Sequence, residues 1–84
     1  MRIYMQTDFM ENRPPRYYQL ILEKDLLGGW RVVREWGQQG AAGRIKREHF
    51  ADQETAQYAL MQIRDKQLAR GYKVVFIQGQ EHLT

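Results

Sequence analysis

Residues 34 to 44 read REWGQQGAAGR, in which a tryptophan is followed by glycines at 37, 40 and 43 and the run closes on Arg44. Glycine is used where the backbone needs positive φ or a close approach, and each one carries an entropic cost. Three glycines at such spacing could cradle a phosphate with backbone amides, as an anion-binding nest does. They match neither a P-loop nor a dinucleotide fingerprint, because the lysine and the strand-to-helix context are both missing. A hairpin turn needing positive φ at one or two positions is the plainer account, although it does not obviously use all three.

The second chemistry in this stretch belongs to Trp36 and to the cations around it. Residues 30 to 47 hold five bases, Arg31, Arg34, Arg44, Lys46 and Arg47, against the single acid Glu35, whereas the whole chain of 84 residues nets only +3. A flat ring at a loop edge, with Arg34 on its own strand face and Arg44 across the turn, can stack a base or sugar while the arginines meet phosphate. The other reading of Trp36 is that it closes one end of the core, and residue types do not separate the two. The five cations come from two strands joined by the turn. They are expected to share one region, where like charges cost stability unless an anion meets them.

Catalysis is bounded by composition. The chain has neither serine nor cysteine and only two histidines, His49 and His82. That excludes a serine triad, a thiol nucleophile, a cysteine-based zinc site and any disulfide, and makes a paired-histidine metal site a poor expectation. Asp52, Glu54 and Glu48 could bring two carboxylates together, but acids beside a helix start are ordinarily caps and dipole partners. No enzymatic activity, cofactor or metal is expected. No apolar run has the length of a signal peptide or a membrane span, which reads as a soluble, cytoplasmic chain.

The elements that must position these residues follow from periodicity. MRIYMQT alternates as a short strand, and DFMENRPPR breaks the pattern with two prolines that cannot serve as ladder donors. YYQLILEK (17–24) and WRVVREW (30–36) alternate as strands around the turn DLLGG, with Trp30, Val32, Arg34 and Trp36 on one face and Arg31, Val33 and Glu35 on the other. Trp30 is expected in the core. RIKREHF (44–50) is a third hairpin strand, with Arg44, Lys46 and Glu48 on one side and Ile45, Arg47 and His49 on the other.

From 52 to 70 the period becomes helical. Ala56, Ala59, Leu60 and Ile63 form a stripe that Tyr58, Met61 and Leu68 widen, Asp52 stands as N-cap, and Arg70 with Gly71 ends the helix. YKVVFIQ then reads as a final strand, apolar enough to be buried on both faces. The expected fold is α+β in one domain over 1–84: an antiparallel sheet of about five strands with one helix on one face.

These residues carry a resemblance. YYQLIL, GGWRVVREWGQQGAAGR, Phe50, Ala56 on the helix and the closing run from Lys66 to Tyr72 are similar to a WGR domain over residues 17 to 72, of the stand-alone bacterial type. The resemblance implies an antiparallel sheet with a helix, no catalysis, and a nucleic-acid partner. In DNA-dependent poly(ADP-ribose) polymerases this module grips DNA near a strand break, the signature tryptophan packing on the terminal sugar and basic residues meeting the backbone. The tryptophan role falls on Trp36 and the signature glycine on Gly37. The signature arginine does not carry over, because Gln38 stands there, and glutamine can hydrogen-bond but supplies neither charge nor a bidentate fork.

The expected interface is therefore Trp36, Gly37, Gln38, Arg31, Arg34, Arg44, Lys46 and Arg47. Its expected partner is DNA, at ends or breaks, with RNA left open. The alternative is a protein-interaction module that docks an acidic partner surface through the same cations or through a sheet edge.

Overall fold

The computed structural model describes residues 1–79. Its elements run β1 (Arg2–Gln6), β2 (Arg16–Lys24), β3 (Trp30–Gln38), β4 (Arg44–Phe50), α1 (Gln53–Ala69) and β5 (Lys73–Gln78). The strands form one antiparallel sheet in the order β4-β3-β2-β1-β5, and α1 packs across β2, β3 and β4 on one face. The expected α+β architecture is thus the observed one. His82 lies outside the described residues.

Strand alternation decides which side chains meet the helix. Ile3 and Met5 of β1, Tyr18, Leu20 and Leu22 of β2, and Val32 of β3 point to the helical side. With Ala56, Leu60 and Tyr72 they make the buried core. Each large aliphatic side chain among them contributes about 1.5–3 kcal/mol by leaving water. Trp30 packs against this core only in part, and the Lys24 ammonium sits 5.8 Å from its ring centroid.

Two expectations about burial are corrected. β5 is not a doubly buried strand: Val75 is 56% and Phe76 40% exposed. The chain passes from β4 at one edge of the sheet through α1 to β5 at the other, so the helix covers the β4 side and leaves β5 as an edge. On the helix, Tyr58 is exposed, as is Leu68, while Gln67 is buried at 3% exposure. The buried face is Ala56, Leu60 and Gln67, with Ile63 packed beside it. Spacings of four and three residues lead from 56 through 60 and 63 to 67, so a 3.6-residue period turns Leu68 away from the sheet.

The helix ends as its sequence requires. The Asp52 side chain accepts a hydrogen bond from the Thr55 amide at 2.8 Å, and the Tyr72 and Arg70 amides return to the Gln67 carbonyl across Gly71, whose φ is 102°. That Thr55 bond holds the Asp52 carboxyl below its ordinary value. Asp25 is held low in the same sense, first by the Leu27 amide and then by His49. A depressed folded-state pKa means that the stabilisation is present above the unfolded value of about 3.9 and is lost as pH falls through the lower folded value. Melting followed by circular dichroism is expected to show Tm falling below pH 4. The double variant Asp25→Ala, Asp52→Ala should melt lower at pH 7 and lose less of its Tm between pH 5 and pH 2.

Candidate nucleic-acid interface

Trp36 stands near the end of β3 and is neither fully core nor fully exposed. Its ring lies on Tyr18, with centroids 5.7 Å apart and planes within 13°, and the side chain packs on the core while remaining half-buried. It walls two hollows. One is a groove of about 930 Å³ between α1 and the β3–β4 hairpin, into which Tyr18, Arg34, Lys46, Ile63 and Gln67 face. The other, of about 370 Å³, lies over the hairpin end among Arg16, Gly37, Gln38, Ala42 and Arg44. Both readings of Trp36 therefore describe part of it: one side of the ring closes the core and the rest lines open space.

The three glycines are used in two different ways. Gly40 takes φ 82° in the turn, a conformation costly to any residue with a Cβ. Gly37 and Gly43 do not have positive φ. They let the two strands and the Tyr17 ring close on one another: a Cβ on Gly37 would stand 3.1 Å from the Gly43 Cα, and one on Gly43 would collide with the Tyr17 hydroxyl and come within 3.0 Å of the Trp36 carbonyl oxygen.

Tyr17 lies on the sheet face away from the helix and locks that end of the hairpin. Its hydroxyl donates to Glu35 at 3.0 Å, and Glu35 also accepts from Gln19 Nε2 at 3.3 Å. Desolvation, followed by the Glu35 bond and charge, raises the Tyr17 phenol above its ordinary value, so it stays a donor across the neutral range. Gln39 adds three ties: its backbone amide donates to the Pro15 carbonyl at 2.9 Å, and its side-chain Nε2 donates to the Tyr4 hydroxyl at 2.6 Å and to Gln6 Oε1 at 3.2 Å. The loop that frames Trp36 is thus anchored from behind.

The cations do not share one region. Pairing puts Lys46 opposite Arg34 and Arg44 opposite Trp36, on the helical side of the sheet. Arg31 lies opposite His49 and Arg47 opposite Val33, on the other side. The local excess of positive charge is real, but alternate residues of a strand face opposite ways, so the sheet splits it.

Two of the five are also neutralised. Arg31 donates to Glu23 at 2.8 Å, and Arg34 donates to Glu48 at 3.0 Å. Arg44, Lys46 and Arg47 make no ion pair among the described residues. The carboxylates that could have formed a catalytic pair are engaged elsewhere, Asp52 as a cap and Glu48 with Arg34.

Arg16, Lys66, Arg70 and Gln67 belong to this side as well and were missed from the sequence. Arg16 pairs directly with Gln38, so a guanidinium stands beside the position where the signature calls for one. That neighbour could have been found by folding residues 16 to 38 about Leu27, the centre of the β2–β3 turn. Lys66 and Arg70 flank Gln67 at the C-terminal end of α1, where the helical period read with Ile63 would have placed them over the sheet edge.

No helix among the described residues is long and apolar enough to cross a membrane. An uncharacterized protein, y4dW, of Sinorhizobium fredii (strain NBRC 101917 / NGR234) is 28% identical over 72 residues, which are 86% of this chain and 35% of that protein. The chain therefore spans about a third of the length of that relative. No solved structure matches the chain. The WGR domain family model matches residues 1–77, extending past both ends of the segment from 17 to 72 that carries the resemblance. With that match covering β1 to β4, the helix and all of β5 but its last residue, the chain belongs to the WGR domain family.

Proposed function

We propose that this module binds DNA at ends or strand breaks, with Trp36 stacking on the terminal nucleotide and the cations on its side of the sheet holding phosphates. WGR domains of poly(ADP-ribose) polymerases are nucleic-acid-binding modules, which supports the class of partner. The observation that carries the reading is the register: Arg44 opposite Trp36, Lys46 opposite Arg34 and Arg16 opposite Gln38 surround a half-buried ring with positive charge. Gly37 lets the hairpin backbone come close beside the ring. Gln38 offers a neutral hydrogen bond there while Arg16 supplies the charge. Arg31 and Arg47 face away and contribute to the long-range field, which steers an anionic partner without touching it.

The module has no group poised for catalysis in this reading, acts without a cofactor, and works in the cytoplasm.

Titration of labelled duplexes, with and without a 5′ phosphate and at two or more salt concentrations, tests the proposal. Binding is expected to weaken with salt, with a slope near −0.9 for each phosphate neutralised. Arg16→Ala, Arg44→Ala and Lys46→Ala should each reduce the slope by about 0.9, whereas Arg31→Ala and Arg47→Ala leave it unchanged. Negligible binding to every duplex at low salt would end the proposal. A stoichiometric protein partner that survives nuclease treatment would favour docking on an acidic protein surface instead.

A further inference from the structure

The sheet has two edges, and they are built differently. β4, at one edge, reads RIKREHF, and its Arg44, Lys46 and Arg47 make no ion pair among the described residues. Such a row of charge discourages a further strand from adding there. β5, at the other edge, reads KVVFIQ and pairs with β1 alone among the described residues. Its one charge is Lys73 at the first position, and Asp8 holds that ammonium at 3.0 Å. Val74, Val75 and Phe76 are all exposed, with no proline beside them. An edge of branched and aromatic residues with unpaired backbone groups is a template for another strand.

Both faces of this edge are apolar. On the face away from the helix, Tyr17, Tyr4 and Phe76 form a run of parallel rings: Tyr4 lies 6.2 Å from Tyr17 with planes 6° apart, and 5.3 Å from Phe76 with planes 4° apart. The run ends on Phe76 because the sheet ends there. Val75 is an extra residue opposite the step from Tyr4 to Met5, and this bulge brings Phe76 over Tyr4.

On the helical face, Val74 pairs with Met5 and Ile77 with Ile3, beyond the strands that α1 packs across. Lys66 and Arg70 line the groove over β3 and β4. Leu68 lies two positions past Lys66, about 200° round the helix, so its exposed side chain turns to the β1 and β5 side.

The chemistry of the strand selects its partner. An acidic segment would find only Lys73, which Asp8 already holds. A second β5 fits without conflict, because antiparallel pairing sets the Lys73 end of each strand against the neutral Gln78 end of its twin and brings no like charges together. The exposed Val75 and Phe76 are central in the strand, where a two-fold axis would set them beside their own copies.

We infer that two copies of this chain join through β5, antiparallel, about a two-fold axis perpendicular to the sheet. The two five-stranded sheets become one, with the rings of Tyr17, Tyr4 and Phe76 in each copy meeting across the centre of one face. Both helices lie on the other face, where Val74 and Leu68 flank the seam. Trp36, on β3, has β2 and β1 between it and this edge and stays open in both copies. No residue of β5 enters the DNA-end reading, so the two stand or fall separately.

Sedimentation equilibrium of the whole chain without DNA, from micromolar to millimolar concentration, makes the measurement. The mass is expected to rise to twice that of one chain. Val75→Lys places an ammonium on each side of the seam and should hold the mass at one chain, whereas Ile45→Lys, an equally drastic change at an exposed site on β4, should leave the doubling intact. Should Val75→Lys fail to fold, amide exchange in the unaltered protein decides, with β5 amides expected to exchange more slowly at the higher concentration.

A single-chain mass throughout the range would overturn the inference and make the bulge at Val75 a device that keeps the edge free. A doubled mass that survives in a folded Val75→Lys, a doubling lost equally in Ile45→Lys, or β5 exchange indifferent to concentration would overturn it as well.

Discussion

Trp36→Ala is expected to weaken binding to DNA ends by about 1–3 kcal/mol, roughly five- to 150-fold, if the ring stacks on the terminal nucleotide. The same change removes the ring that lies on Tyr18 at 5.7 Å, so it also lowers stability. Truncating a fully buried aromatic costs about 3–5 kcal/mol, and the half-buried position of Trp36 puts its cost below that. A domain of this size holds stability of about 0.05–0.15 kcal/mol per residue, so the loss is a substantial share of the whole.

Trp36→Phe separates the two effects. Phenylalanine keeps an aromatic surface on Tyr18 and most of the core closure, but offers less ring to the two hollows. Affinity should fall in the order tryptophan, phenylalanine, alanine, while Tm for the phenylalanine variant stays near that of the unaltered protein. Duplex titration with a melting curve for each protein makes the measurement. A folded Trp36→Ala that binds ends as tightly as the unaltered protein would remove the ring from the interface.

Gly43→Ala is expected to destabilise the protein by about 1–3 kcal/mol through overpacking. The φ of Gly43 is not positive, so alanine is conformationally acceptable and the cost is steric: the new methyl group meets the Tyr17 hydroxyl and lies 3.0 Å from the Trp36 carbonyl oxygen. Tyr17→Phe removes that hydroxyl at the cost of its bond to Glu35, on the order of 1 kcal/mol. Glu35 keeps the Gln19 amide.

The double variant should therefore be more stable than the sum of the two singles, with a coupling on the order of 0.5–3 kcal/mol. Gly40→Ala is the control. Its cost of about 1–2 kcal/mol arises from a left-handed backbone with nothing near the added carbon, so Tyr17→Phe should not relieve it. Urea unfolding of six proteins, the unaltered chain, the three single variants and the two double variants with Tyr17→Phe, makes the comparison, and strictly additive losses for the Gly43–Tyr17 pair would show that the ring does not rest on the glycine.

These expectations mark where reading the chain sufficed. Alternation placed β2 and β3, and the helical period with Asp52 and Gly71 placed α1, because each is a local pattern written in consecutive residues. The observed bounds of these elements lie within about two residues of those read from the sequence, and β3 reaches on to Gln38 because Gly37 still pairs with Tyr17.

Apolar content misread β5. YKVVFIQ looks buried to any local criterion, but the exposure of Phe76 and Val75 depends on which edge the strand joins and how far one helix can reach across the sheet. The cations were miscounted as one patch for a related reason. Their sum over 30–47 is a property of composition, whereas a contact surface is a property of faces, and the register sends Arg31 and Arg47 to the far side.

Family membership, the strand-and-helix order and the candidate ring at Trp36 were all present in local spacing, where a motif of a few residues carries the information. The use of Gly37 and Gly43 as a seat for Tyr17, the guanidinium of Arg16 beside Gln38, and the meeting of Arg34 with Gln67 in one groove were not. Each joins residues some twenty or more positions apart or on different elements. Such distances are closed only by packing the helix on the sheet and by the exact strand register, where a shift of one residue would carry every side chain to the opposite face.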